Sequence, residues 1–171
     1  KREVFLVGEA FFAVTKNANR PFLVHTGNIL TKVLGTSFSV KYAGGHNQEV
    51  EVQVATGKVA VTQQETKPEE LNSEAFRNSA VLLLPNQRAK FNPELKRFTV
   101  QLVTTPTILK EDTSAPRTFL FRETALHLIA ERLEKAYGIQ IILPDNLKYC
   151  PLTADLTAED FYAKLDLICG A

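Results

Sequence analysis

Val50, Val52 and Val54 alternate with Glu49, Glu51 and Gln53. Side chains along a strand point to opposite faces in turn, so this spacing describes a strand with one apolar and one solvated face. The same period governs the first hundred residues. Val59 and Val61 continue it after Thr56-Gly57, and Ile29, Thr31 and Val33 share one face while Leu30, Lys32 and Leu34 share the other. "PFLVHT" is a short strand entered from a proline, and "VLLLPNQRAKF" reads as a strand, a Pro-Asn turn and a second strand. "KRFTVQLV" adds a strand with Phe98, Val100 and Leu102 on one face. Gly8, Gly27, Gly35 and Gly57 separate the runs, and no helical period survives for more than a turn. Residues 63–80 are polar and predict a surface loop, with a helical turn over Pro68 to Phe76. Residues 1–103 are therefore expected to form a mainly β domain of stacked antiparallel strands, sandwich- or solenoid-like.

The texture changes at residue 104. "TTPTILKEDTSAP" has no sustained period and predicts a linker over 104–117. In 118–171, "TFLF" is a short strand. Leu126, Ile129, Ala130, Leu133 and Tyr137 then fall on one helical face, closed by Gly138 as a left-handed C-terminal glycine. "IQIIL" predicts a strand stopped by Pro144-Asp145, and "PLTADL" a weaker one. Thr157-x-x-Asp160 resembles a capping box ahead of a second helix with Phe161, Leu165 and Ile168 on one face. The expected order is β-α-β-β-α, a small α+β domain. Its sheet reads as unfinished, so the domain is expected to be truncated at its C-terminus. The chain does not begin with Met, and "KREVFLVGEA" already reads as a strand and a turn. A piece of a longer protein is expected, with any targeting or anchoring segment upstream.

Composition narrows the function. Lys and Arg number 20 against 19 Asp and Glu, without the concentrated basic field of a nucleic-acid binder. No apolar run approaches the roughly 20 residues that span a bilayer. His25, His46 and His127 have no second ligand at metal spacing, and no nucleophile elbow, zinc-protease motif or phosphate loop is present. The reading is of a protein that is not an enzyme, with no metal and no cofactor. Cys150 precedes the strand at 152, and Cys169 ends the helix that should pack on it. They read either as a disulfide stapling helix to sheet or as two buried thiols acting as small hydrophobes.

Four strings, "GEAFFAV", "RPFLVHTGN", "KVLGTSFSV" and "VATGKVAV", stand in an order that resembles the FecR-like β-domain of anti-sigma regulators. The second half, through "YGIQI" and "LTADLTAEDFYAKLDLI", is similar to the secretin and TonB short N-terminal-like domain that follows it in many members. The resemblance implies the periplasmic region of a single-pass inner-membrane anti-sigma factor. Its implied partners are the signalling domain of a TonB-dependent outer-membrane transducer, and an extracytoplasmic-function sigma factor bound through a cytoplasmic domain absent here. Iron or glycan uptake is the implied output. Secretin-like envelope assembly and glycan binding are the alternatives. An incomplete sheet offers an edge for another chain, so Ile139, Ile141 and Leu143, or Leu152 and Leu156, are candidate partner-binding positions. Relatives that cleave themselves at a Gly-Thr bond give Gly35-Thr36 two readings: a bulge that resets strand phase between Val33 and Phe38, or a scissile bond.

Overall fold

A computed structural model describes residues 2–42, 44, 49–64, 80–109 and 118–170. The helical turn expected at 68–76, His46 and the rear of the expected linker lie outside the described residues. The chain divides into two compact units, 1–103 and 104–171.

The first unit is built from strands β1 (Arg2–Phe5), β2 (Gly8–Ala13), β3 (Phe22–Thr26), β4 (Ile29–Val33), β5 (Ser37–Tyr42), β6 (Val50–Thr56), β7 (Val59–Gln63), β8 (Ala80–Leu83), β9 (Gln87–Asn92) and β10 (Arg97–Leu102). They form two five-stranded sheets, ordered β1-β3-β4-β7-β8 and β10-β9-β6-β5-β2. The inward face of each strand is the one its alternation marks. Ile29, Val33, Val50, Val52, Val54, Val59 and Val61 are all buried, and they join Val24, Phe38, Val40, Leu83, Ala89 and Phe91 in one core shared by both sheets. This is the sandwich-like arrangement expected. One pairing departs from it: β1 runs parallel to β3, with Phe5 opposite His25.

Gly35 and Thr36 lie between β4 and β5. A Cβ on Gly35 would stand 2.3 Å from the Lys16 Cα and 2.9 Å from the Lys16 nitrogen, so backbone occupies the space a side chain would need. Thr36 is buried, and its carbonyl accepts the Val14 N–H at 2.9 Å. Gly57, at φ +79°, presses on this bend from the β6–β7 turn; its own Cβ would lie 2.4 Å from the Thr36 Cγ2. The strand register shifts between Ser37 and Phe38, where the Thr56 hydroxyl accepts the Ser37 N–H at 3.0 Å. A phase-resetting bulge follows Gly35-Thr36 directly.

The second unit has β11 (Leu120–Ala125), α1 (Leu126–Tyr137), β12 (Pro151–Asp155) and α2 (Phe161–Cys169). Its order is β-α-β-α, inside the expected α+β class but one strand short. Residues 139–143 join no ladder; the Ile141 N–H donates instead to the Glu134 Oε1 at 2.5 Å. Ile129, Ala130, Leu133 and Tyr137 are the buried face of α1, and Gly138 closes it at φ 67°. The α1 N-terminus has no side-chain cap. Its Leu126 and His127 N–H groups donate to the Cys150 and Lys148 carbonyls, so the 145–150 turn does the capping. Asp160 alone caps α2, accepting the Ala163 N–H at 2.9 Å, while the Thr157 hydroxyl accepts from Phe119 instead of closing a capping box.

Gly35→Ala is expected to destabilise the first unit by at least about 2 kcal/mol, because the obstructing atoms are backbone and cannot swing aside. Denaturant unfolding of the two proteins, compared at equal slope, measures it; an unchanged midpoint contradicts the close approach.

Candidate interaction site

β11 and β12 form a sheet of only two strands, so each has one neighbour and one open edge among the described residues. The two edges differ. β11 is interrupted between Phe121 and Thr124, with Glu123 at φ 44° and its N–H donating to the Thr153 hydroxyl at 2.8 Å. Such a bulge disturbs an edge and discourages pairing. β12 is uninterrupted. The Leu156 N–H donates to the Phe119 carbonyl at 2.9 Å, which sets the phase of the ladder. By antiparallel alternation, residues 152, 154 and 156 direct their backbone groups to β11, and residues 151, 153 and 155 direct theirs off the edge. Pro151 sits where it has no outward N–H to contribute. The open edge therefore offers the N–H groups of Thr153 and Asp155.

The side chains sort the same way. Leu152 and Ala154 are half-buried, while Thr153 and Asp155 are exposed. The Thr157 hydroxyl and backbone N–H bond to the Asp155 carboxyl and hold it below the usual aspartate range, so the edge carries a fixed negative charge at neutral pH. Of the positions expected to bind a partner, Leu156 is fully buried and Leu152 faces inward, so neither presents a side chain. Ile139, Ile141 and Leu143 are half-buried in a segment that is no strand and offers no ladder edge. The outward positions of β12 are the odd ones, Thr153 and Asp155. The alternation in "PLTADL" could have marked them, had exposure rather than apolarity been sought.

Beneath the sheet lie Phe119, Tyr137, Phe161 and Lys164. The rings of Tyr137 and Phe161 meet at 4.8 Å, and the Lys164 ammonium stands 5.2 Å from the Phe119 ring centre. Lys164 is 1% exposed, and its Nζ donates to the Glu159 carbonyl. Burial pushes its pKa below the ordinary 10.5, against the pull of Glu159 and Asp160. Burial, with Asp160 adding to it, raises Tyr137. Sequence reading marked Phe161 and missed Lys164, because a lysine within an apolar period reads as a solvated position.

Cys150 and Cys169 are both exposed free thiols, which corrects both expectations for them: no disulfide joins them and neither is buried. Cys150 belongs to the turn capping α1, where its Sγ faces the Asn146 carbonyl. His25 has the carboxylate neighbour that sequence spacing hid. Its Nε2 lies 2.6 Å from the Glu3 Oε1, its ring stacks on Phe5 at 4.7 Å, and the Gln64 amide meets its Nδ1. Parallel pairing of β1 and β3 makes this cluster. At the Gly35-Thr36 bend the buried Thr36 Oγ1 has no hydrogen-bond partner among the described residues.

Comparison with known proteins finds two family models. The one described as FecR protein matches residues 1–60, and the one described as FecR, C-terminal matches residues 118–171. Two crystal structures of a candidate anti-sigma factor from Parabacteroides distasonis are similar to the chain. The one at 1.65 Å resolution has 26% identity over 96% of this chain and 71% of that one, with a TM-score of 0.45. The one at 2.50 Å has 26% identity over 98% and 72%, with a TM-score of 0.47. No curated protein matches the chain.

Three measurements test these environments. Lys164 binds its proton less tightly folded than unfolded, so stability rises with pH between its lowered folded value and the ordinary 10.5. Lys164→Met is expected to abolish that alkaline rise while leaving the unit folded; thermal melts across that range read it, and an identical rise in the variant contradicts it. Thr36→Val replaces an unpartnered buried hydroxyl by a methyl, and is expected to raise the melting temperature by roughly a few degrees. Intact mass before and after storage is expected to be unchanged in both proteins if the bend is structural.

Proposed function

The chain belongs to the FecR family, and we propose that it is the periplasmic sensing region of a membrane-anchored anti-sigma regulator. In this reading the signalling domain of a TonB-dependent outer-membrane transducer contacts the second unit, and the signal passes across the inner membrane to an extracytoplasmic-function sigma factor. The observation that carries the contact is the open edge of β12. A two-stranded sheet leaves the outward N–H groups of Thr153 and Asp155 for an incoming strand. Family membership supports the regulatory role, since the two family models match in order along the chain. No helix among the described residues is long and apolar enough to cross a membrane, so anchoring in this reading belongs to another part of the protein.

The Gly35-Thr36 bond is best read as a bend. Lys16 backbone fills the glycine face, and the Thr36 hydroxyl has no base bonded to it among the described residues. An N→O acyl shift needs that proton removed as the oxygen attacks the Gly35 carbonyl.

The test is calorimetric titration of the chain with isolated transducer signalling domains. Thr153→Pro removes one outward N–H and is expected to weaken binding at least about tenfold, whereas Thr153→Val keeps the N–H and is expected to bind as the parent does. Circular dichroism verifies that both variants fold. Binding that survives Thr153→Pro unchanged removes the β12 edge as the interface, and binding to no signalling domain removes the transducer reading itself.

A further inference from the structure

Among the described residues β2 ends its sheet, with β5 as its one neighbour. The ladder runs without a break from Gly8 opposite Tyr42 to Ala13 opposite Ser37, and the Val14 N–H donates to the Thr36 carbonyl. That bond fixes the alternation: residues 8, 10 and 12 turn their backbone groups to β5, and Glu9, Phe11 and Ala13 turn theirs outward. The other edges of this unit are blunted. β1 and β8 are four residues each, and β10 starts at Arg97 beside Lys96. β2 has six residues and no proline, lysine or bulge, and its one outward charge, Glu9, lies 3.4 Å from Lys41 of β5.

The side chains point the same way. Phe12 turns inward and stacks on Phe38 at 5.2 Å and on Phe22 at 5.7 Å. Phe11 takes the opposite face and is 65% exposed. Phe12 therefore anchors the strand, while Phe11 covers no part of the core.

We propose that the β2 edge pairs with the β2 edge of a second copy of this chain, antiparallel, about a two-fold axis at Phe11. The three outward residues are symmetric about Phe11, so one register engages all of them: Phe11 opposite its counterpart, and Glu9 opposite the second copy's Ala13, twice. Every outward N–H and C=O of these residues then gains a partner. The charges allow it. Glu9 meets an alanine instead of another glutamate, and its own neighbour Lys41 is already 3.4 Å away. The two exposed Phe11 rings become a cross-strand aromatic pair on the solvent face. Slipping the register by two residues opposes Phe11 to Ala13 and leaves an outward residue unpaired at each end. Two five-stranded sheets join into one of ten.

Sedimentation of the chain from about 1 to 100 µM tests this, since an interface of one strand pair should associate weakly. A monomer–dimer equilibrium is expected. Phe11→Lys places a charge at an exposed edge position and is expected to give monomer only, whereas Thr99→Glu on the opposite edge of the sheet leaves the dimer. Register is tested by oxidation in a Cys150→Ser, Cys169→Ser background. Phe11→Cys is expected to cross-link, because opposed residues have Cα atoms about 5.5 Å apart. Ala13→Cys is not, because its counterpart lies about four residues, or 14 Å, along the strand. A monomer throughout, a dimer that survives Phe11→Lys, or equal cross-linking at 11 and 13 overturns the proposal. So does a β2 edge occupied only by a strand of another protein.

Discussion

Phe12 stacked on Phe38 is the contact from which the working surfaces of the first unit follow. Phe38 has no exposure and sits among Val40, Val52 and Val54, in a core to which both sheets contribute. Close packing of this kind fixes which face of each strand turns inward, because a one-residue slip would expose every valine at once. With Phe12 held against Phe38, the phase of β2 is set. Its outward row of Glu9, Phe11 and Ala13 is then a consequence of the core, and needs no separate cause.

The second unit meets the same requirement differently. A sheet of two strands cannot enclose a core, so α1 packs against β11 and meets α2 through Tyr137 and Phe161, and Ile129, Leu133, Tyr137, Leu156 and Phe161 supply the apolar volume. Lys164 lies within that volume. Its apolar stem packs, its ammonium faces the Phe119 ring, and the Glu159 carbonyl accepts from it. A buried cation held by one carbonyl and one ring is a poor source of stability, and its lowered pKa reflects that. Its position beside the Asp160 cap favours a role in fixing the start of α2.

Much of the fold was legible because alternation and helical period are direct records of burial. The valines of β6 and β7 and the α1 face from Ile129 to Tyr137 are buried where the pattern placed them. Failures came where the deciding partner is distant in sequence. "IQIIL" carries the apolar run of a strand, but a strand needs a neighbour, and the Ile141 N–H is taken by Glu134 on α1. Thr157 and Asp160 have the spacing of a capping box, yet the Thr157 hydroxyl is claimed by Phe119 of another segment. Glu3 and His25 are 22 residues apart, and only a parallel β1–β3 pairing joins them. The candidate edge was half legible. "PLTADL" was recognisable as a strand, but its freedom on one side depends on which strands form elsewhere, so sequence pointed to Leu152 and Leu156 and not to Thr153 and Asp155.

Unprotected edges are uncommon in isolated domains because each is a template for unwanted pairing. The chain shows that protection is within its means. β11 carries a bulge, β10 begins beside two basic residues, and β1 and β8 are short. Against that background β2 and β12 are each uninterrupted and, among the described residues, each turns alternate backbone groups away from its one neighbour, although β12 begins at Pro151. They differ in what they add to the backbone. In the proposed reading β12 offers a threonine and an aspartate held in its charged form to a partner that brings hydrogen bonds and positive charge. β2 presents an exposed phenylalanine at the centre of a symmetric row, so it favours a partner with the same row. Because the two edges select by different chemistry, a strand suited to one is poorly suited to the other, and both can be left open in one chain without competing for the same occupant.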